Sequence, residues 1–103
     1  MVRFLVLYQR PTDVAAFDHH YYDVHVPLAK KLPGLRGYTV SRNPSVVRGP
    51  EPYYLIAELE WDDIASLQRD FASPLGQDIA RDVDTLAELC PGIHSTIYEL
   101  HAL

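Results

Sequence analysis

Histidine and tyrosine are the side chains of this sequence that could carry chemistry. The 103 residues include seven tyrosines and five histidines, and five of these rings fall between His19 and His25. Imidazole gives and takes protons near neutral pH without special tuning, so His25 is the first candidate for a general acid or base. On a helix, Tyr22 and His25 are i,i+3 neighbours at the edge of the buried face. The cluster therefore indicates acid–base chemistry.

Other roles for the ring cluster stay open. A histidine at the edge of a core can simply form a hydrogen bond with a tyrosine or a carbonyl group. His19 and His20 lie six and five residues before His25, so neither has the i,i+4 spacing of a helical zinc pair, and we predict no metal site. Cys90 is the single cysteine, which excludes an intrachain disulfide. The sequence assigns no role to four of the histidines: His19, His20, His94 and His101.

The composition limits the class of protein. Hydrophobic residues make up 48% and charged residues 22%, which is typical of a globular chain, and the length predicts one domain over residues 1–103. A net charge of -5 argues against a nucleic-acid binder and against a polybasic membrane surface. The apolar run after Met1 is too short for a signal peptide or a membrane span, so we expect no membrane association and a cytoplasmic location.

The elements that must position these rings follow from apolar periodicity and from turn residues. The pattern predicts a first helix after Thr12 or Asp13 that ends at Pro33-Gly34, and a second helix in two pieces, capped by Asp62 and by Ser73. The strands are predicted at residues 3–9, 35–42, 53–61 and 93–103. This βαββαβ order is the split βαβ pattern of the ferredoxin-like fold, an α+β class with an antiparallel sheet and helices on one side.

The first helix contains the ring cluster and a proline. Its α-helical spacing predicts one buried stripe, made of Phe17, Tyr21, Val24 and Leu28. Pro27 cannot donate the backbone hydrogen bond to residue 23, so we expect a kink near His25. Such a kink could open a cavity between helix and sheet, or Pro27 could simply begin a separate helical segment.

Both faces of the predicted sheet are apolar. In the first strand Phe4, Val6 and Tyr8 point to one face, whereas Leu5 and Leu7 point to the other. Helices can cover only one of these faces, and an exposed apolar patch on the second calls for a partner. We therefore predict a homodimer in which two copies pack sheet to sheet by two-fold symmetry.

Two stretches of the first third of the chain resemble signatures of the EthD family, named after ethyl tert-butyl ether degradation. Residues 21–29 match Tyr-Tyr-x-x-His-x-Pro-Leu-Ala, and residues 32–35 match Leu-Pro-Gly-Leu. The resemblance implies a dimeric α/β barrel with no dedicated metal or organic cofactor. It also implies a pocket between helix and sheet that holds hydrophobic, often aromatic, molecules. The histidine that matches His25 is the usual catalytic suspect of the family.

The residues and the resemblance together predict a homodimer that binds a small hydrophobic or aromatic molecule in each subunit. As an enzyme it would be a cofactor-free oxidoreductase, isomerase or dehydratase, with His25 as general acid or base and Tyr22 orienting the imidazole or polarising the substrate. We expect His25→Ala to slow turnover by about 10²–10⁴-fold with little loss of fold. The side chains expected to line the pocket are Phe17, Tyr21, Tyr38 and Trp61.

Two alternatives to an enzyme remain open. The chain could be a non-catalytic carrier of a hydrophobic compound, or an accessory protein of an oxygenase system. It could also be a plain dimerisation module without a ligand. The clustering of histidine and tyrosine at one predicted edge favours a ligand, but it does not separate catalysis from binding.

Overall fold

The computed structural model describes all residues, 1–103, and has the predicted order of elements. A π-helical turn at Tyr21–His25 connects the first two α-helices. The strands are β1 (Val2–Tyr8), β2 (Gly37–Val40), β3 (Leu55–Trp61) and β4 (Ile93–Glu99), and the helices are α1 (Val14–His20), α2 (Val26–Ala29), α3 (Ile64–Ala72) and α4 (Pro74–Leu89).

The four strands form one sheet in the order β2-β3-β1-β4, and every neighbouring pair is antiparallel. This confirms the α+β, ferredoxin-like fold. The last strand is shorter than predicted because its partner ends: Val2, the first residue of β1, pairs with Glu99. Beyond Glu99, the amide of Leu100 still donates to the carbonyl of Met1 at 3.0 Å.

The core lies between the sheet and the helices. One face of β1, with Val2, Val6 and Tyr8, belongs to the core, and Phe4 packs against it. Leu5 and Leu7 point to the opposite face, which no helix covers, and stay partly exposed. The largest fully buried side chains are Trp61, Tyr8, Tyr21 and Phe17.

Side-chain caps begin three of the helices. Asp13 accepts the amide of residue 16 at 3.0 Å and begins α1, and Ser73 begins α4 as predicted. The predicted cap Asp62 is wrong by one residue, since Asp63 accepts the amide of Ser66 at 2.8 Å. Asp62 instead accepts the guanidinium of Arg36 at 2.9 Å.

The turn after α2 is held by a buried carboxylate. Asp70, which is 3% exposed, accepts the Gly34 amide at 3.0 Å and the Trp61 indole N–H at 2.8 Å, both on Oδ2. A Cβ atom at Gly34 would lie 3.0 Å from that oxygen and 3.1 Å from the Trp61 ring, so a larger residue would require these side chains to shift by a few tenths of an ångström. None of the helices has the length and apolar character that a bilayer crossing requires.

Candidate functional site

A π-helical turn places His25 in the core. The amide of Val26 donates to the carbonyl of Tyr21, five residues earlier, which is the π-helical pattern. The wider turn keeps a strict spacing of four residues on the buried face, so that Phe17, Tyr21, His25 and Ala29 are all buried. The prediction of a buried Val24 is therefore wrong: Val24 is 43% exposed, whereas His25 is 6% exposed.

The irregularity expected from Pro27 is this π-helical turn. The π-helical turn ends at His25, α2 begins at the next residue, and Pro27 lies in the first turn of α2. His25 and Val26 keep helical backbone angles, with φ of -66° and -60°. The chain thus continues as a helix through the site, and Pro27 does not follow a break.

Asp82 on α4 connects two histidines of the ring cluster. His25 Nδ1 donates to Asp82 Oδ2 at 2.8 Å, and His20 Nε2 donates to Oδ1 at 2.7 Å. An ionised carboxylate only accepts, so each facing imidazole nitrogen carries a hydrogen. The neutral His25 ring then has its lone pair on Nε2. The side chains of His25 and Asp82 are 7% and 13% exposed, so water screens this pair little.

The sequence carries a signal that could have identified Asp82. Asp82 lies three residues after Ile79 and four before Leu86, which is the helical spacing of the buried face of α4. A carboxylate on such a face needs hydrogen-bond donors from elsewhere in the fold. The identity of those donors is not local information, since His25 is 57 residues away.

Burial lowers the pKa of His25 below its ordinary value of 6.5, and the hydrogen bond to Asp82 opposes this shift. The ring is therefore uncharged at neutral pH. Its Nε2 atom has no hydrogen-bond partner in the protein, yet no fully buried side-chain nitrogen or oxygen lacks one. Nε2 must therefore be accessible, and His25 lines a cavity. The geometry presents an unprotonated base to that cavity.

The cavity lies between the helices and the sheet and has a volume of about 280 Å³. Of its 17 lining residues 14 are hydrophobic, and no charged side chain is among them. The polar groups that reach it are few: His25, the hydroxyls of Tyr8, Tyr38 and Ser95, and the Trp61 indole, whose N–H is already bound to Asp70. An apolar cavity with a few convergent polar groups is the usual form of a small-molecule site.

The structure brings three of the six predicted site residues together at the cavity: His25, Tyr38 and Trp61. Phe17 and Tyr21 are completely buried behind it, where the rings of Tyr21 and His25 stack with centroids 5.6 Å apart. The Tyr21 and Tyr38 hydroxyls share a hydrogen bond of 2.7 Å. Tyr21 thus supports two cavity residues without reaching the cavity itself.

Tyr22 lies outside the cavity. Its side chain is 46% exposed, and its ring packs edge-on against Tyr21 at 5.2 Å. The side chain lines a surface groove with Arg42 and Tyr54. The expected i,i+3 proximity to His25 assumed an α-helix, and the π-helical turn changes the rotation between the two residues. The structure therefore corrects the expected pairing of Tyr22 with His25.

No group of three or more histidine, cysteine, aspartate or glutamate side chains converges as a metal site would require. The facing nitrogens of His20 and His25 are both engaged by the Asp82 carboxylate. Cys90 is buried, and its thiol donates to the carbonyl of Gln9 at 3.1 Å. The chemical groups available at the cavity are thus an imidazole and hydroxyls.

Comparison with known proteins gives a family match over most of the chain. A family model described as the EthD domain matches residues 9–89. An uncharacterized 11.0 kDa protein of the thcB-thcC intergenic region of Rhodococcus erythropolis is 37% identical over 87 residues, which cover 84% of each chain.

Solved structures share the fold. The crystal structure of an EthD family protein from Bacillus halodurans has a TM-score of 0.85 and 34% identity, and the match covers 98% of this chain and 99% of that one. SnoaB, a cofactor-independent oxygenase from Streptomyces nogalater, has a TM-score of 0.68 at 16% identity over 99% and 94% of the chains. A dimeric ferredoxin-like protein from Thermobifida fusca has a TM-score of 0.70 at 13% identity over 96% and 90%. The last two, at such low identity, show a common fold only.

Proposed function

The chain belongs to the EthD family, and we propose that it binds a small hydrophobic or aromatic molecule and transforms it by cofactor-independent acid–base chemistry. One observation carries this proposal. The neutral His25 imidazole presents its free Nε2 to an apolar cavity while Asp82 holds Nδ1. A base inside an apolar cavity is the minimum needed to remove a proton from a hydrophobic substrate.

The cavity defines the size and charge of the ligand. An engineered cavity of about 150 Å³ binds benzene, so about 280 Å³ has room for a molecule of one or two rings. No charged side chain lines the wall, so an ionised ligand would lose its hydration without gaining a partner. We therefore propose a neutral aromatic molecule.

His25 would perform the proton transfer. Its Nε2 lone pair takes a proton from an acidic C–H or O–H bond of the ligand, whose bonding electrons stay on the ligand. The resulting imidazolium is stabilised by the Asp82 carboxylate on the other nitrogen. Return of the proton to another carbon gives an isomer, and its transfer to a departing hydroxyl group releases water. An oxygenation would begin with the same deprotonation and would then need molecular oxygen as the oxidant. SnoaB, which shares this fold, is a cofactor-independent oxygenase.

The test is a thermal-shift screen of aromatic ketones, phenols and polyketide-like compounds, with turnover of each hit followed by NMR and mass spectrometry. A bound ligand raises the melting temperature by mass action. We use His25→Gln as the variant because the ring is buried and stacked on Tyr21, which makes the expected tolerance of His25→Ala untenable. His19→Gln is the matched control, since the His19 side chain is 80% exposed.

The proposal expects a hit whose turnover falls by about 10²–10⁴-fold in His25→Gln and is unchanged in His19→Gln. Turnover that survives in His25→Gln contradicts the mechanism. A hit without turnover favours the second candidate, a non-catalytic carrier or an accessory protein of an oxygenase system. The apolar wall, with 14 hydrophobic residues of 17, supports that candidate as well as it supports an enzyme.

We also propose a homodimer formed through the open face of the sheet. Leu5 and Leu7 on β1 and Ile56 on β3 lie on the face that no helix covers. A relative with the same fold is dimeric. Leu7→Lys should convert the dimer to a monomer in sedimentation equilibrium, whereas Val24→Lys on the exposed side of the π-helical turn should not. A wild-type mass near 11.7 kDa at micromolar concentration contradicts the dimer. The cytoplasmic location stays a prediction.

A further inference from the structure

We propose that the Tyr8 hydroxyl binds the oxygen of the substrate, and that the substrate is an enolisable aromatic ketone. The inference rests on the proposed function of His25 and adds a second catalytic residue and a substrate class to it. Tyr8 is the last residue of β1 and lines the same cavity as His25. Its position on a strand at first indicates only a core tyrosine, because tyrosine is common in strands.

The Tyr8 side chain is buried but its hydroxyl has no partner. The residue is 2% exposed, and none of the hydrogen bonds in the structure includes its oxygen. Fully buried side-chain oxygens all have partners, so the Tyr8 oxygen must open to the cavity. A hydroxyl that opens to a cavity and has no partner in the protein is available to bind a group held there. A ligand oxygen in the cavity would be such a group.

The ring of Tyr8 is fixed in place by its neighbours. Its centroid lies 5.4 Å from that of Phe17 and 5.4 Å from that of Tyr21, both edge to face. Tyr21 in turn stacks on His25 at 5.6 Å. Tyr8 and His25 are thus held by one shared ring and face one cavity, which gives the preorganisation that a catalytic pair requires.

The other polar groups of the cavity are less suitable. The Tyr38 hydroxyl shares a hydrogen bond of 2.7 Å with Tyr21, in which either oxygen can be the donor, and the Trp61 indole N–H is bonded to Asp70 at 2.8 Å. Ser95 is exposed to solvent. Burial raises the pKa of Tyr8 well above its usual value of 10.0, so the hydroxyl stays protonated and acts as a donor. The cavity therefore offers the Tyr8 hydroxyl as a neutral donor without a partner in the protein, and His25 Nε2 as a neutral acceptor.

This pair matches the atoms of an enolisable ketone. Nε2 of His25 removes the proton from the carbon next to the carbonyl group, and the electrons of that C–H bond form the C=C bond of the enolate. The carbonyl oxygen gains the negative charge, which the Tyr8 O–H group stabilises by donation. The imidazolium then returns the proton to carbon or to oxygen, so no oxidant, reductant or metal is consumed. The enol product and a phenol present the same O–H group to Tyr8.

The first experiment compares 2-naphthol with naphthalene by titration calorimetry. Tyr8→Phe should weaken 2-naphthol binding by about 3- to 10-fold, the value of one hydrogen bond, and leave naphthalene within about twofold. Tyr53→Phe is the matched control, because Tyr53 does not line the cavity. The ratio of the two affinities separates a lost hydrogen bond from a general loss of structure. An unchanged ratio overturns the inference, and so does a wild-type protein that does not bind 2-naphthol.

The second experiment follows exchange of the α-protons of 2-tetralone in D₂O by NMR. Wild-type protein should accelerate the exchange, and Tyr8→Phe should slow it by about 10²–10³-fold, as the loss of an oxyanion donor does. His25→Gln should abolish the acceleration. If only Tyr8→Phe keeps the wild-type rate, the inference about Tyr8 fails and the proposed function of His25 stands. If His25→Gln keeps the wild-type exchange rate, the proposed function fails. Whether Tyr8 binds an oxygen is then decided by the ratio of the 2-naphthol and naphthalene affinities alone.

Discussion

The replacement of Asp82 by asparagine tests the link between helix α4 and the ring cluster without any knowledge of the substrate. The wild-type carboxylate accepts two hydrogen bonds, from His25 at 2.8 Å and from His20 at 2.7 Å. Asparagine has almost the same shape but only one acceptor oxygen. One of the two imidazoles must therefore face an amide N–H₂ group, and that ring has to move its own hydrogen to its other nitrogen.

The size of the effect follows from these contacts. A hydrogen bond to a charged group contributes about 1.5–3 kcal/mol. The His25 side chain is 7% exposed and the His20 side chain 23%, so the upper part of that range applies to the bond from His25 more than to the bond from His20. Asp82→Asn loses one such bond and should lower the free energy of unfolding by about 1.5–3 kcal/mol. Asp82→Ala removes the acceptor of both hydrogen bonds and should cost about 3–6 kcal/mol.

The assay is urea unfolding near neutral pH at one fixed protein concentration, since a dimer's stability depends on concentration. Asp84→Asn is the matched control, because Asp84 is an exposed residue two positions along the same helix. It should change stability by less than about 0.5 kcal/mol. The reasoning is refuted if Asp82→Asn unfolds at the same urea concentration as Asp84→Asn.

A spectroscopic measurement separates the positioning role of Asp82 from simple stabilisation. Nitrogen-15 NMR distinguishes the two neutral tautomers of an imidazole. In the wild type we expect His25 with hydrogen on Nδ1 and a free Nε2 above its lowered pKa. In Asp82→Asn the pKa should fall further, because the carboxylate that opposes the effect of burial is gone. A wild-type His25 with hydrogen on Nε2 would contradict the proposed base.

Three further predictions concern other parts of the molecule. Val24→Ser should change the free energy of unfolding by less than about 0.5 kcal/mol, and a loss above about 1.5 kcal/mol would mean that Val24 is buried, as an α-helix requires. Asp70→Ala should lower the free energy of unfolding by about 2–6 kcal/mol, because the Trp61 indole and the Gly34 amide lose their acceptor. Asp70→Asn keeps an acceptor and should lower the free energy of unfolding by less, so equal losses in the two variants would contradict this account. The pKa of His25 is lowered from 6.5 by folding, so as the pH falls the unfolded chain takes up a proton at this residue before the folded chain does. The stability that is present above pH 6.5 is therefore lost as the pH falls toward the pKa of the folded state. Urea unfolding between about pH 8 and pH 5 should show a steeper loss for the wild type than for His25→Gln, and equal slopes would count against it.

Most of the fold was predictable because its signals are local. Alternation along β1 and β3 defines the two faces of the sheet. Phe4, Val6 and Tyr8 share one face as predicted, and the structure shows that this face is the core side. Serine followed by proline marks the start of α4, and the cap is where the sequence predicts it. The errors are a one-residue shift of a cap to Asp63 and strands predicted too long, both at element ends, where short-range preferences compete most closely.

The site was predictable only in part. The sequence by itself determined that rings cluster around His25, that Tyr38 and Trp61 lie on strands, and that the order of elements is βαββαβ, because residue type and period are read along the chain. Only the tertiary structure decided that a π-helical turn exchanges Val24 for His25 at the core and turns Tyr22 outward. It also decided that Asp82 is the partner of His25. This pairing joins residues 57 positions apart and depends on how α4 packs against the π-helical turn, so no local pattern in the chain contains that information.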